Sequence, residues 1–130
     1  MEANRKIFDN EFLKKIKKDE EVLAVLLFGS YVKGGRSSDI DVCIVLMPEG
    51  YENLSLSEKR LKYLSLVSNK IDIQIFQQLP LYVKIKILKD GKEIFCRNED
   101  LFYGLAFQTI KDFESFKKYY HGYLEEITHE

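Results

Sequence analysis

The 130-residue chain has the composition of one globular domain, since 45% of its residues are hydrophobic, 32% are charged and the formal net charge is −1. This balance excludes a largely disordered chain, and near-neutrality argues against direct nucleic-acid binding, because phosphate contacts need a basic surplus. No apolar run approaches the roughly 20 residues of a membrane span, and the N-terminus lacks the apolar stretch of a signal peptide. We therefore expect a single domain over residues 1–130, cytoplasmic and without a membrane partner.

Helical and strand-like patterns alternate along the chain. The first predicted elements are a helix over 9–20, a continuous apolar strand over 22–28, a loop over 29–38 and a second strand over 39–46. The next predicted element is a helix over 55–68, with Ser55 or Ser57 as N-cap and an apolar stripe of Leu56, Leu61, Leu64 and Val67. It is followed by a strictly alternating strand over 70–76 and a helix from Pro80 to about Leu88. A turn at Asp90-Gly91, a strand over 92–96 and a long helix from about Asn98 complete the chain. This order predicts an α/β (α+β) domain with a small mixed sheet flanked by helices. The two cysteines, Cys43 and Cys96, lie in apolar strand-like runs and are expected to be reduced and buried.

Three aspartates carry the strongest chemical signal. Asp39 and Asp41 are two residues apart on a predicted strand, so their side chains project from the same side. Two carboxylates in that arrangement repel each other unless a cation lies between them, and magnesium prefers such hard oxygen ligands. Asp72 lies on the alternating strand 70–76, opposite its isoleucines. If that strand pairs beside 39–46, the three acids converge and can hold two metal ions.

The Gly29-Ser30 pair directly follows the first apolar strand. Glycine permits a close approach of the backbone to a phosphate, and free N–H groups at the start of a helical turn bind anions. Without the acids downstream, the same pair would be interpreted as a simple turn between two strands.

These motifs carry a family resemblance. The Gly-Ser at 29–30 and the Ser-Asp-Ile-Asp at 38–41 resemble the signature of the DNA polymerase β-type nucleotidyltransferase superfamily. The short chain further resembles the minimal nucleotidyltransferases, the antitoxins of HEPN/MNT toxin–antitoxin pairs, and the run from 79 to 95 with the long helix after it is similar to that group as well. The resemblance implies a polymerase β-like nucleotidyltransferase fold and a HEPN-type toxin as protein partner.

The resemblance also implies roles for individual residues. Gly29 and Ser30 match the positions that hold the β- and γ-phosphates of a nucleoside triphosphate, ATP in this group. Asp39 and Asp41 match the pair that binds Mg²⁺, expected as two ions, and Asp72 matches the third acid, a metal ligand and the general base for the acceptor hydroxyl. That hydroxyl attacks the α-phosphorus and pyrophosphate leaves. Positioning and charge neutralisation then carry most of the catalysis.

The loop between Ser30 and Asp39 departs from the family pattern, because it is about two residues shorter than is common in these antitoxins. Lys33 and Arg36 lie within this loop. Either side chain can contact phosphate or remain a solvated charge, and the sequence leaves both interpretations open.

The C-terminal helix is rich in aromatic residues. One stripe, expected to pack mostly in the core, comprises Phe102, Leu105, Ile110, Phe113, Phe116, Tyr120, Leu124 and Ile127. Tyr103, Phe107, Tyr119 and Tyr123 fall partly off it, and a domain of this size cannot cover both faces of so long a helix. A protein partner is therefore a second expected use of this helix.

Three functions are compatible with these features. The first is a protein adenylyltransferase that transfers AMP from ATP to a tyrosine of a HEPN-type RNase toxin and silences it. The second is a non-catalytic antitoxin that masks its partner by binding alone, although a pure binder has no need for three aligned carboxylates. The third transfers the nucleotide to a small hydroxylated molecule such as an aminoglycoside, for which the chain would need an additional substrate-binding surface.

Overall fold

The computed structural model describes residues 10–29 and 40–128, which form a four-stranded mixed sheet with helices on both faces. The strands are β1 (Val22–Phe28), β2 (Ile40–Leu46), β3 (Ile71–Ile75) and β4 (Lys92–Cys96), and the helices are α1 (Asn10–Lys18), α2 (Asn53–Leu64), α3 (Leu81–Asp90) and α4 (Glu99–Thr128), with a 3₁₀ turn at Phe76–Gln78. The spatial order is β3-β2-β1-β4. β2 and β3 are parallel, whereas β1 is antiparallel to both of its neighbours. The predicted mixed α/β architecture is confirmed.

Both faces of the sheet are covered by apolar side chains, which is why β1 is an uninterrupted apolar run. One cluster joins the sheet to α1 and α2, and the other joins it to α3 and the start of α4. A register shift between Val22 and Ala24 places Leu23 and Ala24 in the same cluster. Cys43 is buried in the second cluster as expected, but Cys96 is only partly buried, and both are free thiols.

Helix α2 corrects two details of the sequence interpretation. It begins after Glu52, which forms no side-chain capping hydrogen bond, so neither Ser55 nor Ser57 is the N-cap. Its buried side chains are Leu56 and Tyr63, whereas Leu61 is 61% exposed. Leu56 and Tyr63 are two helical turns apart and therefore define the side of α2 that faces the sheet. Position 60 lies between them on the same side.

Helix α4 extends well beyond the sheet. Its 30 residues span about 45 Å, whereas a seven-residue strand such as β1 spans about 23 Å. Of residues 99–126 of this helix, Phe102 and Thr109 alone are buried, and every residue from 114 to 126 is exposed. The expectation that most of the aromatic stripe packs in the core was therefore wrong for Ile110, Phe116, Tyr120 and Leu124, which are all exposed. Within the part of the chain described, none of the helices, this one included, is both long and apolar enough to cross a membrane.

A compact polar cluster fixes the junction of α1, β1 and α2. The Asp19 carboxylate accepts hydrogen bonds from Tyr63 Oη (2.5 Å) and Lys59 Nζ (2.9 Å). Burial alone would raise the pKa of Asp19, but these hydrogen bonds outweigh it, and the pKa lies below its ordinary value of 3.8. Arg97 donates to the backbone oxygens of Ile16, Lys17, Asp19 and Val22. The cluster holds the start of the sheet in place, at the end remote from Asp41 and Gly29.

Candidate active site

Asp41 and Asp72 occupy paired positions on the parallel strands β2 and β3. Residues that pair in register project their side chains from the same face of a sheet, and the face opposite Asp72 is filled by the buried isoleucines of β3. The expected approach of these two acids is therefore observed. Asp39 lies outside the described residues, as do Ser30, Lys33 and Arg36.

Gly29 closes β1 directly beside Asp41. Its φ is +91°, a region that L side chains rarely adopt. A Cβ atom added at residue 29 would lie 2.5 Å from Asp41 Oδ2, well inside van der Waals contact. Two features favour glycine here: the backbone conformation, and the Asp41 carboxylate, which would have to shift to admit a Cβ. The sequence predicted a close approach of the backbone to phosphate, and the structure additionally shows its close approach to an acid.

The Asp72 carboxylate is held by two side chains. Arg60 Nη2 donates to Asp72 Oδ1 (3.1 Å), and Gln74 Nε2 donates to Asp72 Oδ2 (2.7 Å). Arg60 is itself fixed by a hydrogen bond from its Nε to the backbone oxygen of Ile73 (2.6 Å). A carboxylate has about four lone-pair positions, so each oxygen retains one for a further ligand.

Arg60 was missed by the sequence interpretation because the stripe of α2 was assigned to the wrong residues. With Leu56 and Tyr63 as the inward positions, residue 60 lies four residues after the first and three before the second, on the same side of the helix. An arginine on the inward side of an amphipathic helix is the signal that could have found it, because a buried or half-buried cation needs a partner.

An open cleft of about 640 Å³ lies at the acid end of the sheet, within the size range of small-molecule sites. The two acids form one wall. The other described lining residues belong to the end of α2, the connection to β3 and the first residue of β3: Leu64, Val67, Ser68, Asn69, Lys70 and Ile71. Both acids therefore border an open cleft of ligand-binding size, whereas Gly29 lines a neighbouring cavity with residues of α3.

The chemistry of the acid pair fits a magnesium ion. Two neighbouring carboxylates supply hard oxygen donors, and Mg²⁺ is typically held by one or two carboxylates together with substrate phosphates. Because Gly29 has no Cβ, the Asp41 carboxylate can lie against the backbone at the end of β1. Among residues 10–29 and 40–128, no group of three or more His, Cys, Asp or Glu side chains is arranged to hold a metal ion, and Asp39 is outside those ranges.

A mixed sheet that brings two acids together beside a glycine turn is the arrangement of a nucleotidyltransferase palm. The chain belongs to the polymerase beta nucleotidyltransferase family, because a sequence model of that family matches residues 10–100. The match contains both described acids, Gly29 and Arg60, and ends at the start of α4.

The chain is similar to a Methanocaldococcus jannaschii protein named as a candidate protein adenylyltransferase, with 42% identity over 77 residues. The matched segment covers 58% of this chain and 57% of that protein, so the chain spans little more than half the length of this relative.

The fold is also that of several solved toxin–antitoxin structures. A chain of a toxin–antitoxin complex with AMP-PNP aligns with a TM-score of 0.65 at 19% identity, over 93% of this chain and 99% of that chain. A chain from the complex of tri-AMPylated Shewanella oneidensis HEPN toxin with MNT antitoxin aligns with a TM-score of 0.62 at 18% identity, over 91% and 94% of the two chains. At these identities the similarity establishes the shared fold.

Proposed function

We propose that this chain is a magnesium-dependent protein adenylyltransferase that transfers AMP from ATP to a tyrosine hydroxyl of a HEPN-type RNase toxin and thereby acts as its antitoxin. The observation that carries the proposal is the in-register pairing of Asp41 and Asp72 on one face of the sheet, beside Gly29. Membership of the family and the name of the archaeal relative support the chemistry. The fold shared with antitoxin complexes supports the acceptor.

In the proposed reaction, Asp39, Asp41 and Asp72 hold the magnesium ions, which neutralise charge on the phosphates when bound. Gly29 and Ser30 hold the β- and γ-phosphates. The acceptor oxygen forms a bond to the α-phosphorus, the bond from that phosphorus to the oxygen bridging to the β-phosphate breaks, and pyrophosphate leaves. Asp72 accepts the hydroxyl proton. Because the reaction consumes ATP, we assign it to the cytoplasm.

The exposed part of α4 supports a protein acceptor. Large apolar side chains remain uncovered along its length beyond the sheet, including Phe116 (53% exposed), Tyr119, Tyr120 and Tyr123. Phe116 and Tyr120 stack on each other with ring centroids 6.0 Å apart. Aromatic residues grouped on an exposed surface are enriched at protein interfaces, so this end of the helix is the proposed contact with the toxin.

The test is incubation of the purified chain and its HEPN-type partner with ATP and Mg²⁺, followed by intact-mass measurement of the partner. The proposal predicts mass gains of whole AMP units that require both ATP and Mg²⁺. Asp41→Asn, a nearly isosteric change, should abolish the gain while leaving complex formation intact. A partner that keeps its mass with the wild-type chain, while the complex forms, would contradict the proposal.

Masking without catalysis is the second candidate, and the uncovered aromatic surface of α4 favours it. It predicts that Asp41→Asn still neutralises the toxin in cells, whereas replacement of Phe116 by Asp abolishes neutralisation. Catalytic silencing predicts loss of protection in both variants. The cell-growth assay therefore separates the two candidates with a single pair of substitutions.

A further inference from the structure

We infer that Arg60 is a positioning residue of the active site, which sets the orientation of the Asp72 carboxylate for metal binding. This inference rests on the proposed nucleotidyl transfer and assigns to it a residue from outside the Gly-Ser and aspartate motifs. Its basis is the bridge that Arg60 forms from the edge of β3 to the acid, through Nε to the Ile73 oxygen and through Nη2 to Asp72 Oδ1.

The geometry of this bridge fixes the orientation of the Asp72 carboxylate and also places a positive charge beside it. The guanidinium is planar and its donors have fixed relative positions. The hydrogen bond from Nε to the Ile73 oxygen fixes the position of Nη2. The hydrogen bond from Nη2 then fixes the position of Asp72 Oδ1, which accepts it. Gln74 binds the other oxygen at 2.7 Å. The carboxylate is thus held at both oxygens before any ligand arrives.

Stability is a poor explanation for this arrangement. The side chains of Arg60 and Asp72 are 33% and 40% exposed, and ion pairs between side chains with this degree of solvent access contribute little to folding. By comparison, the ion pair between Asp19 and Lys59 is much less accessible to solvent, with side chains that are 11% and 13% exposed. A carboxylate that binds metal is usually oriented by hydrogen bonds from its neighbours, and loss of such a neighbour typically costs 10–100-fold in metal affinity or activity.

Charge and orientation make opposite predictions for metal binding. If Arg60 acted only through its positive charge, its removal would strengthen binding of a divalent cation to Asp72. If Arg60 orients the carboxylate, its removal weakens binding. Arg60→Gln removes the charge, and Arg60→Lys retains the charge but cannot form both hydrogen bonds from one rigid plane.

The experiment measures Mn²⁺ binding by electron paramagnetic resonance, in the presence of a non-hydrolysable ATP analogue, together with steady-state AMP transfer. We expect both variants to weaken Mn²⁺ binding about 10-fold and to lower kcat about 10–100-fold, with the KM for ATP within about twofold of the wild type. Lys62→Gln is the matched control, because Lys62 is on the same helix with its ammonium over the Tyr63 ring. It should change neither quantity.

A double-mutant cycle establishes that Arg60 acts through Asp72. In an Asp72→Ala background, Arg60→Gln should slow transfer by less than about twofold, since residues that act as one unit are not additive. A full additional loss in that background would overturn the inference, as would tighter Mn²⁺ binding by Arg60→Gln. Thermal unfolding of each variant verifies that it is folded. If wild-type AMP transfer is absent, the proposed function fails, and the Mn²⁺ measurement still decides the role of Arg60.

Discussion

Replacement of Gly29 by alanine should lower the rate of AMP transfer strongly and the stability of the fold modestly. The added Cβ would lie 2.5 Å from Asp41 Oδ2, whereas ordinary carbon–oxygen contacts are about 3.4 Å, so the carboxylate must move by about 0.9 Å. A displacement of about 1 Å in an active site costs on the order of 100-fold in rate. The positive φ of residue 29 adds roughly 1–2 kcal/mol of backbone strain.

The assay is AMP transfer to the partner under single-turnover conditions, with urea unfolding measured in parallel. We expect a rate about 100-fold lower for Gly29→Ala and an unfolding free energy lower by about 1–2 kcal/mol. Gly50→Ala is the matched control, because no described residue lies within 4 Å of its added Cβ and its φ is not positive. A Gly29→Ala rate within about threefold of the wild type, in a folded protein, would refute the reasoning that displacement of the Asp41 carboxylate slows AMP transfer.

Three further predictions concern the rest of the fold. The pKa of Asp19 is lowered in the folded state. The ionised carboxylate therefore stabilises the fold fully above about pH 4, and this stabilisation is lost as the pH falls through the lower pKa of the folded state. The difference in unfolding free energy between wild type and Asp19→Asn should accordingly be constant near neutrality and shrink in acid. Tyr63→Phe removes a hydrogen bond to that carboxylate and should cost about 1–3 kcal/mol by urea unfolding, an unchanged value counting against the cluster as an anchor. Gly104 lies within α4, and none of the residues that the structure describes comes within 4 Å of its added Cβ. Gly104→Ala should therefore raise the unfolding free energy by roughly 0.5–1 kcal/mol, and a loss of stability would contradict this picture of its surroundings.

The sheet and the acid pair were predictable because their signals are local. Alternation along 70–76 assigned Asp72 to the face opposite the isoleucines, and the apolar run of β1 required burial on both faces. Strand pairing then converts two local patterns into one site, because in-register parallel strands bring Asp41 and Asp72 to the same face. Periodicity together with glycine and proline turn signals was sufficient to predict these elements and their order along the chain, whereas the order of the strands within the sheet came from the structure.

The contacts around the acids were not predictable in the same way. The bridge from Arg60 to Asp72 joins residues 12 apart, and it depends on the rotation of α2, which the burial of Leu56 and Tyr63 sets. The sequence interpretation missed this bridge because it assigned Leu61 to the inward side of the helix. The uncovered end of α4 depends on the length of the helix relative to the sheet, a property of the assembled fold that side-chain periodicity does not encode.

The most direct measurement is a crystal structure of the chain with Mn²⁺ and a non-hydrolysable ATP analogue. The account predicts an anomalous peak for manganese bonded to carboxylate oxygens of both Asp41 and Asp72, with the analogue's phosphates beside Gly29. Manganese and nucleotide located away from this face, with neither acid in contact with the ion, would contradict it.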